Sequence, residues 1–317
     1  MKGFQVLIGA HTSDHSKKKK CRRLDRVTTT VDIVRKTTHF ISPLGGGVYI
    51  IVPYLSKLGL LTVTFSGGVV KAPRFLGGET SQQEWALVKS SSVDWVDFET
   101  TSFLMQVPQK WIYGYTFAEM SRLADVWQAA MDAVRDFGGY PRSRNHKVVY
   151  LQVDLAVTGL AYGIGYPQVN QIYTPDSEAQ GRKDHWLLTD PMHSEIEWHE
   201  TGHAQLLTMY PGENEAIVNF LYCYIQNVTF NMPLDRAFQL SFGPSYKDKG
   251  FLPDDAAIHW MISRNFREGK EMDRSRSATN QLRYQQRGYA KYVDFVRLYG
   301  WEKYVQCSRV RVDLLIV

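Results

Sequence analysis

Residues 194–228 read SEIEWHETGHAQLLTMYPGENEAIVNFLYCYIQNV, and this stretch decides the architecture of the C-terminal half. Apolar residues at three- and four-residue steps predict two helices, Ser194–Met209 and Glu213–Val228, with Tyr210-Pro211-Gly212 as the turn between them. The first helix carries His199-Glu200-Thr201-Gly202-His203, an H-E-x-x-H pentapeptide. On a helix the i, i+4 spacing puts both imidazoles on one face, where two nitrogens can bind one zinc ion at about 2.0–2.1 Å. Glu200 stands beside the first histidine, within reach of a water on such an ion. Bound zinc lowers the pKa of its water to about 7, and an adjacent carboxylate can accept the proton as hydroxide attacks a polarised carbonyl. Five residues alone also fit two ordinary core or surface histidines. The helical setting, with Ile196 and Trp198 before the pentapeptide and Leu206 and Leu207 after it, favours the metal.

A hydrolytic zinc keeps three protein ligands and one open position, so a third donor is needed. Glu213 and Glu215 both fall in the first turn of the second helix, where a carboxylate can also simply complement the helix dipole. Glu213 lies on the apolar stripe of Ile217, Phe220 and Leu221. Glu215 shares a polar face with Asn219, Tyr222 and Gln226 and is preferred on that ground, with Glu213 left open. Asn219, one turn further on, could orient a ligand or serve ordinary helix packing.

Outward from this pair of helices, Thr116 to Phe137 shows an apolar stripe of Phe117, Met120, Leu123, Ala124, Trp127, Met131 and Val134, ended by Gly138-Gly139; it predicts an amphipathic helix. Val148–Val153 reads as a buried strand. Ala256–Phe266 and Tyr284–Leu298 read as helices. Before Gly114 the pattern changes to short β-branched or aromatic runs between glycines: an opening strand from Phe4, then Gly47–Pro53, then Leu61–Phe65. The expectation is an α+β chain, with a β-rich, sandwich-like part over residues 1–113 and a helix-rich part over 114–317.

Composition narrows the function classes. The chain has 317 residues, 44% hydrophobic and 13% aromatic, enough for a sizeable core. Its net charge of +5 is accounted for by Lys17, Lys18, Lys19, Lys20, Arg22 and Arg23. The remainder is near neutral, so nucleic-acid binding is not expected and the run reads as a solvated loop. Cys21, Cys223 and Cys307 are widely spaced, which argues against both a disulfide framework and a cysteine zinc site. No stretch has the roughly 18 apolar residues of a membrane span. The first ten residues lack a signal-peptide pattern and read as a strand, so localisation stays open.

Trp198-His199-Glu200-Thr201-Gly202-His203, followed by Glu215-Ala216-Ile217-Val218-Asn219, resembles the H-E-x-G-H and E-x-x-x-N elements of the peptidase M60 family, which includes the enhancins and mucin-directed M60-like peptidases. Gly45–Ile51, Ala72–Phe75, Trp85, Val107-Pro108, Gly165-Tyr166-Pro167 and Phe295–Trp301 are similar to further family landmarks, in the same order and over most of the chain. The resemblance implies a gluzincin-type site with Glu215 as third ligand and Glu200 as base. It implies a thermolysin-like catalytic part and glycosylated, mucin-like protein substrates, which are extracellular. Two departures stand out. Ala204 occupies a position where many members have asparagine, and the tail after Tyr304 matches no landmark.

Other candidates are weaker. Tyr166 or His193 could donate a hydrogen bond to a developing oxyanion. Trp186 could stack on a sugar ring, although a core role is the plainer reading. His11 and His15 flank Asp14 with a spacing that could bind metal, yet they adjoin the lysine run. The competing function is a non-catalytic protein- or glycan-binding module on the same fold, because relatives associated with vertebrate ion channels lack the metal motif.

Overall fold

The computed structural model describes residues 3–9, 11, 23–53, 56–57, 59–112, 114–139, 149–153, 161–162, 168–170, 195–206, 214–241, 250–272 and 284–313. The chain is α+β, as expected, and divides into two compact units. The first comprises Met1–Ala124, Lys147–Leu160 and Val169–Leu188; the second comprises Asp125–His146, Ala161–Gln168 and Thr189–Val317.

In the first unit, β1 (Gln5–Ile8) pairs antiparallel with β2 (Thr29–Asp32) on one side and β3 (Val48–Ile51) on the other. Val6 and Ile8 are buried while Gln5 and Leu7 are only partly covered, the period-two pattern of a strand with one face on a core. A second, mixed sheet follows the order β4 (Arg74–Leu76), β5 (Trp95–Glu99), β6 (Phe103–Pro108), β7 (Val149–Val153), with β5 and β6 antiparallel and the two outer pairings parallel. Phe75, Phe98 and Phe103 pack as neighbouring rings at 5.8 Å on this sheet. Helix α1 (Gln82–Lys89) starts at a capping box in which Ser81 and Glu84 satisfy each other's backbone N–H groups, and it buries Trp85 and Val88.

One polar cluster is enclosed in this unit. The Tyr49 hydroxyl donates to Asp97 Oδ1 at 3.1 Å, Gln106 Nε2 donates to the same oxygen at 3.2 Å, and Gln106 also donates to the Tyr49 oxygen. Burial pushes the Asp97 carboxyl up to about 6; the Gln106 and Tyr49 hydrogen bonds oppose that shift and neighbouring Glu99 adds to it.

The strand expected at Leu61–Phe65 does not form. Residues 59–72 are exposed coil, with Leu60 at 98% exposure. The alternation there supplies β propensity, but among the described residues no strand pairs with it to complete a hydrogen-bond ladder.

Helix α2 (Phe117–Gly138) begins at a second capping box. Thr116 N donates to Glu119 Oε2 at 2.7 Å, and Glu119 N donates back to Thr116 Oγ1 at 3.2 Å. The helix stops where Gly139 takes a positive φ of 71°, the left-handed end that glycine adopts without strain. In the second unit α3 (Glu195–Leu206) and α4 (Asn214–Val228) fall within the expected spans. Ala216, Ile217, Val218, Phe220, Leu221, Cys223 and Ile225 are all buried, so α4 is a central helix covered on nearly every side. Phe137 of α2 meets Phe220, Tyr224, Trp301 and Tyr304 at centroid distances of 5.1–6.4 Å, an aromatic cluster that fixes the C-terminal half of α4.

Helices α5 (Leu234–Leu240), α6 (Pro253–Met261), α7 (Arg264–Arg267), α8 (Tyr284–Arg287) and α9 (Ala290–Asp313) complete the unit. The continuous helix expected over Ala256–Phe266 is two helices, because the Ser263 side chain accepts from Phe266 N and caps a new one. The helix expected over Tyr284–Leu298 is likewise interrupted, between Arg287 and Ala290, and α9 itself breaks at Gly300, where φ is 79°. Arg297 joins α5, α6 and α9 through Asp235 at 2.8 Å, Asp254 at 2.6 Å and Asp294 at 2.8 Å. No helix among the described residues is long and apolar enough to cross a membrane.

Candidate metal centre

Trp198 is fully buried and packs on Trp127 at 5.1 Å, which anchors α3 and fixes the direction in which the next residue points. His199 and His203 follow on one face, as the i, i+4 spacing predicts, with ring centroids 4.7 Å apart and Nε2 atoms 3.1 Å apart. Glu215, from the first turn of α4, closes the group. Its Oε2 lies 3.5 Å from His199 Nε2 and its Oε1 lies 3.6 Å from His203 Nε2. Ligand atoms each about 2.0–2.1 Å from a shared tetrahedral ion stand about 3.3–3.5 Å from one another, so this donor set fits one zinc-sized ion. Among the described residues no other group of three or more His, Cys, Asp or Glu side chains converges in this way.

The protonation state of His199 follows from its neighbours. Asn219 Nδ2 donates to two main-chain carbonyls, Glu215 O at 3.1 Å and Gln285 O at 2.6 Å. That orientation turns Asn219 Oδ1 towards His199 Nδ1, 2.6 Å away. An amide oxygen only accepts, so Nδ1 carries the proton and Nε2 presents its lone pair to the other two donors. Metal-binding histidines are held in this way by a partner on the opposite nitrogen. The Glu215 carboxyl is held well below the usual carboxylate range, first by hydrogen bonding to His199 and then to His203, against the opposing effect of burial. Those bonds form only when Nε2 is protonated as well as Nδ1; with Nε2 bare, the same space is open to a cation.

Burial is graded across the three side chains. His199 is 6% exposed, His203 12% and Glu215 57%. The imidazoles are thus enclosed and the carboxylate stands at the open side. Glu200 is half-buried between the two histidines in sequence. Gly202 also belongs to the centre. A Cβ placed there would lie 2.7 Å from Val218 Cβ and 3.0 Å from Val218 Cα, so α3 and α4 approach at a distance only glycine permits.

Sequence reading brought His199, Glu200, His203, Glu215 and Asn219 to one place, and the structure puts four of them in mutual contact, with Glu200 on the same turn. The face shared by Glu215, Asn219, Tyr222 and Gln226 is buried beyond its first residue, because it lies inside the unit rather than at its surface. Glu213, Tyr166, His193, Trp186, Asp14, His15 and Cys21 lie outside the described residues. His11 packs edge-on against Trp95 at 5.0 Å. Cys223 is buried, and desolvation pushes its thiol up to about 12, so it packs as a neutral thiol. Gln285 was not foreseen. Its Nε2 donates to Glu215 Oε2 at 2.9 Å, from a segment with no recognisable motif. The close approach at Gly202 could have been read from a lone glycine inside a helical run.

Residues 68–311 match the family described as peptidase M60, enhancin and enhancin-like, and residues 1–66 match the N-terminal domain of M60-like peptidases. The chain belongs to the peptidase M60 family. A metallopeptidase from Bacteroides thetaiotaomicron superposes with a TM-score of 0.56 at 10% identity, over 98% of this chain and 52% of that one. A conserved protein of unknown function from Bacillus anthracis superposes with a TM-score of 0.54 at 13% identity, over 71% of this chain and 45% of that one. In sequence the M60 chain is 26% identical to TRPM8 channel-associated factor 1 of Bos taurus over 251 residues, which is 78% of this chain and 26% of that protein. It therefore spans about a quarter of the length of that curated relative. Membership of the M60 family implies a metal cofactor, and the His199, His203 and Glu215 group has the chemistry to hold one.

Proposed function

We propose that this chain is a zinc-dependent endopeptidase that hydrolyses peptide bonds in glycosylated, mucin-like proteins, with its catalytic part in the helix-rich residues 114–317. His199, His203 and Glu215 hold the ion, and Glu200 is the general base. The observation that carries the proposal is the orientation of His199, whose Nδ1 proton is committed to Asn219 while Nε2 faces His203 and Glu215. The convergence of both Nε2 atoms and a carboxylate on one point supports a bound cation there.

Zinc, when bound, supplies Lewis acidity and an acidified water. Glu200, one residue from a ligand, accepts the proton from the attacking water and returns it to the leaving amine. The buried imidazoles keep bulk water from one side of the centre, and the exposed Glu215 side marks where a polypeptide can enter. The resemblance to enhancins and mucin-directed peptidases supports this substrate class, and with it a location outside the cell.

The deciding experiment compares wild type with Glu200→Gln on a mucin-type glycoprotein, with zinc content measured on the same samples. Equal zinc and at least a hundredfold loss of hydrolysis is expected, in line with general acid–base contributions of about 10²–10⁴-fold. Unchanged hydrolysis in the zinc-loaded variant would sink the proposal. A second reading is a non-catalytic binding module, favoured by the name of the channel-associated relatives. Well-folded wild type that takes up no zinc when it is offered would promote that reading.

A further inference from the structure

We propose that Gln285 is a positioning residue of the metal centre, one that fixes the carboxylate arm and the imidazole arm of the ligand set at the same time. The inference rests on the reading of His199, His203 and Glu215 as ligands. From α8, the Gln285 side chain donates to Glu215 Oε2 at 2.9 Å, and its main-chain carbonyl accepts from Asn219 Nδ2 at 2.6 Å. Asn219 in turn accepts from His199. One residue, 70 positions beyond Glu215, thereby reaches two of the three ligands.

The carboxylate needs such a partner. Glu215 is more than half exposed, so packing does not restrict its rotamers. An unrestrained glutamate side chain would have to be ordered at the moment of metal binding, and a donor that orders it beforehand removes that cost. With Oε2 held by Gln285, Oε1 is the oxygen turned to His203.

The support behind Gln285 is rigid. Arg287, two residues on, is buried and donates to Ser241 O at 3.3 Å. Tyr289 is fully buried, hydrogen-bonded to Ser241 and packed on Phe238 at 5.0 Å and on Phe220 at 6.1 Å. The clamp is therefore tied to the core of the unit, and a donor held this way transmits its position to the group it touches.

Two variants of the full chain test this. Gln285→Met keeps the length and helix propensity of the side chain without a donor, and Gln285→Ala removes the side chain. Zinc affinity is measured by competition with a chromophoric chelator. The visible spectrum of the cobalt(II)-loaded protein reports ligand geometry, and the melting temperature of the metal-free protein reports folding. Both variants are expected to bind one zinc about tenfold more weakly, with an altered cobalt spectrum and a metal-free melting temperature equal to that of wild type. Wild-type affinity and cobalt spectrum in Gln285→Met would overturn the proposal, as would a fall in metal-free melting temperature matching the loss of affinity. If wild type itself binds no zinc, the ligand reading fails first, and that is visible before any variant is compared.

Discussion

Replacing Gly202 by alanine adds one methyl group where α3 crosses α4. The new Cβ would stand 2.7 Å from Val218 Cβ, 2.8 Å from Cγ1 and 3.0 Å from Cα. Carbon atoms rest at about 3.5–4.0 Å, so the helices must separate by roughly 0.5–1 Å at this point. Glu215 lies one turn before Val218 on the same helix and would move with it, whereas metal–ligand distances tolerate only about ±0.2 Å. Zinc affinity should fall at least tenfold, about 1.4 kcal/mol. The effect on folding should be of similar size or smaller. Overpacking costs about 1–3 kcal/mol and the helix-propensity gain of alanine over glycine returns about 1, for a net loss of about 0–2 kcal/mol. Chelator competition measures the first effect, and urea unfolding of the metal-free protein measures the second. Val218→Ala on top of Gly202→Ala removes both γ-methyl groups but keeps Cβ, the nearest contact, and should not restore binding. Val218→Gly removes Cβ as well, so that only the main chain still crowds the new methyl group, and should restore part of it. Wild-type zinc affinity in Gly202→Ala would refute the close-packing argument.

Two further predictions concern buried polar groups. Asn219→Leu removes the acceptor of the His199 Nδ1 proton and should weaken zinc binding about 10–100-fold while the protein stays folded, as read by chelator competition beside circular dichroism. Asp97, whose carboxyl is raised by burial to about 6 from 3.8, contributes stability that is fully present below about pH 4 and is lost as pH rises through about 6. Wild type should therefore lose about 2 kcal/mol relative to Asp97→Asn between pH 4 and pH 7.5; denaturant unfolding at the two pH values checks this, and parallel pH profiles for the two proteins would contradict it.

What could be read from the sequence was whatever is local. The span of α2 was legible because its apolar stripe and its glycine stop both lie within it, and α3 and α4 were legible for the same reason, together with the spacing of His199 and His203. Glu215 was reachable because it follows the motif within one turn of the next helix. Leu61–Phe65 misled, since alternation describes a strand that has found a partner and cannot say whether one is there. The break at Ser263 was written in a capping residue, but a run of apolar side chains on both sides masked it. Gln285 was beyond reach. Its role comes from where α8 is carried by Arg287 and Tyr289, and neither the glutamine nor its neighbours have a pattern that distinguishes them from any short polar helix.

The three candidate ligands sit on two consecutive helices, whereas Gln285, which reaches two of them, lies 70 positions beyond Glu215. Pairings near in sequence close sooner than distant ones, because less loop entropy opposes them. During synthesis the donor triad is complete before residues 284–287 exist as peptide. On the proposed ligand assignment, the two helices would hold an ion weakly until the later segment docks. On that assignment, metal loading would be a two-step affair in time, in which the order of translation sets the order of assembly.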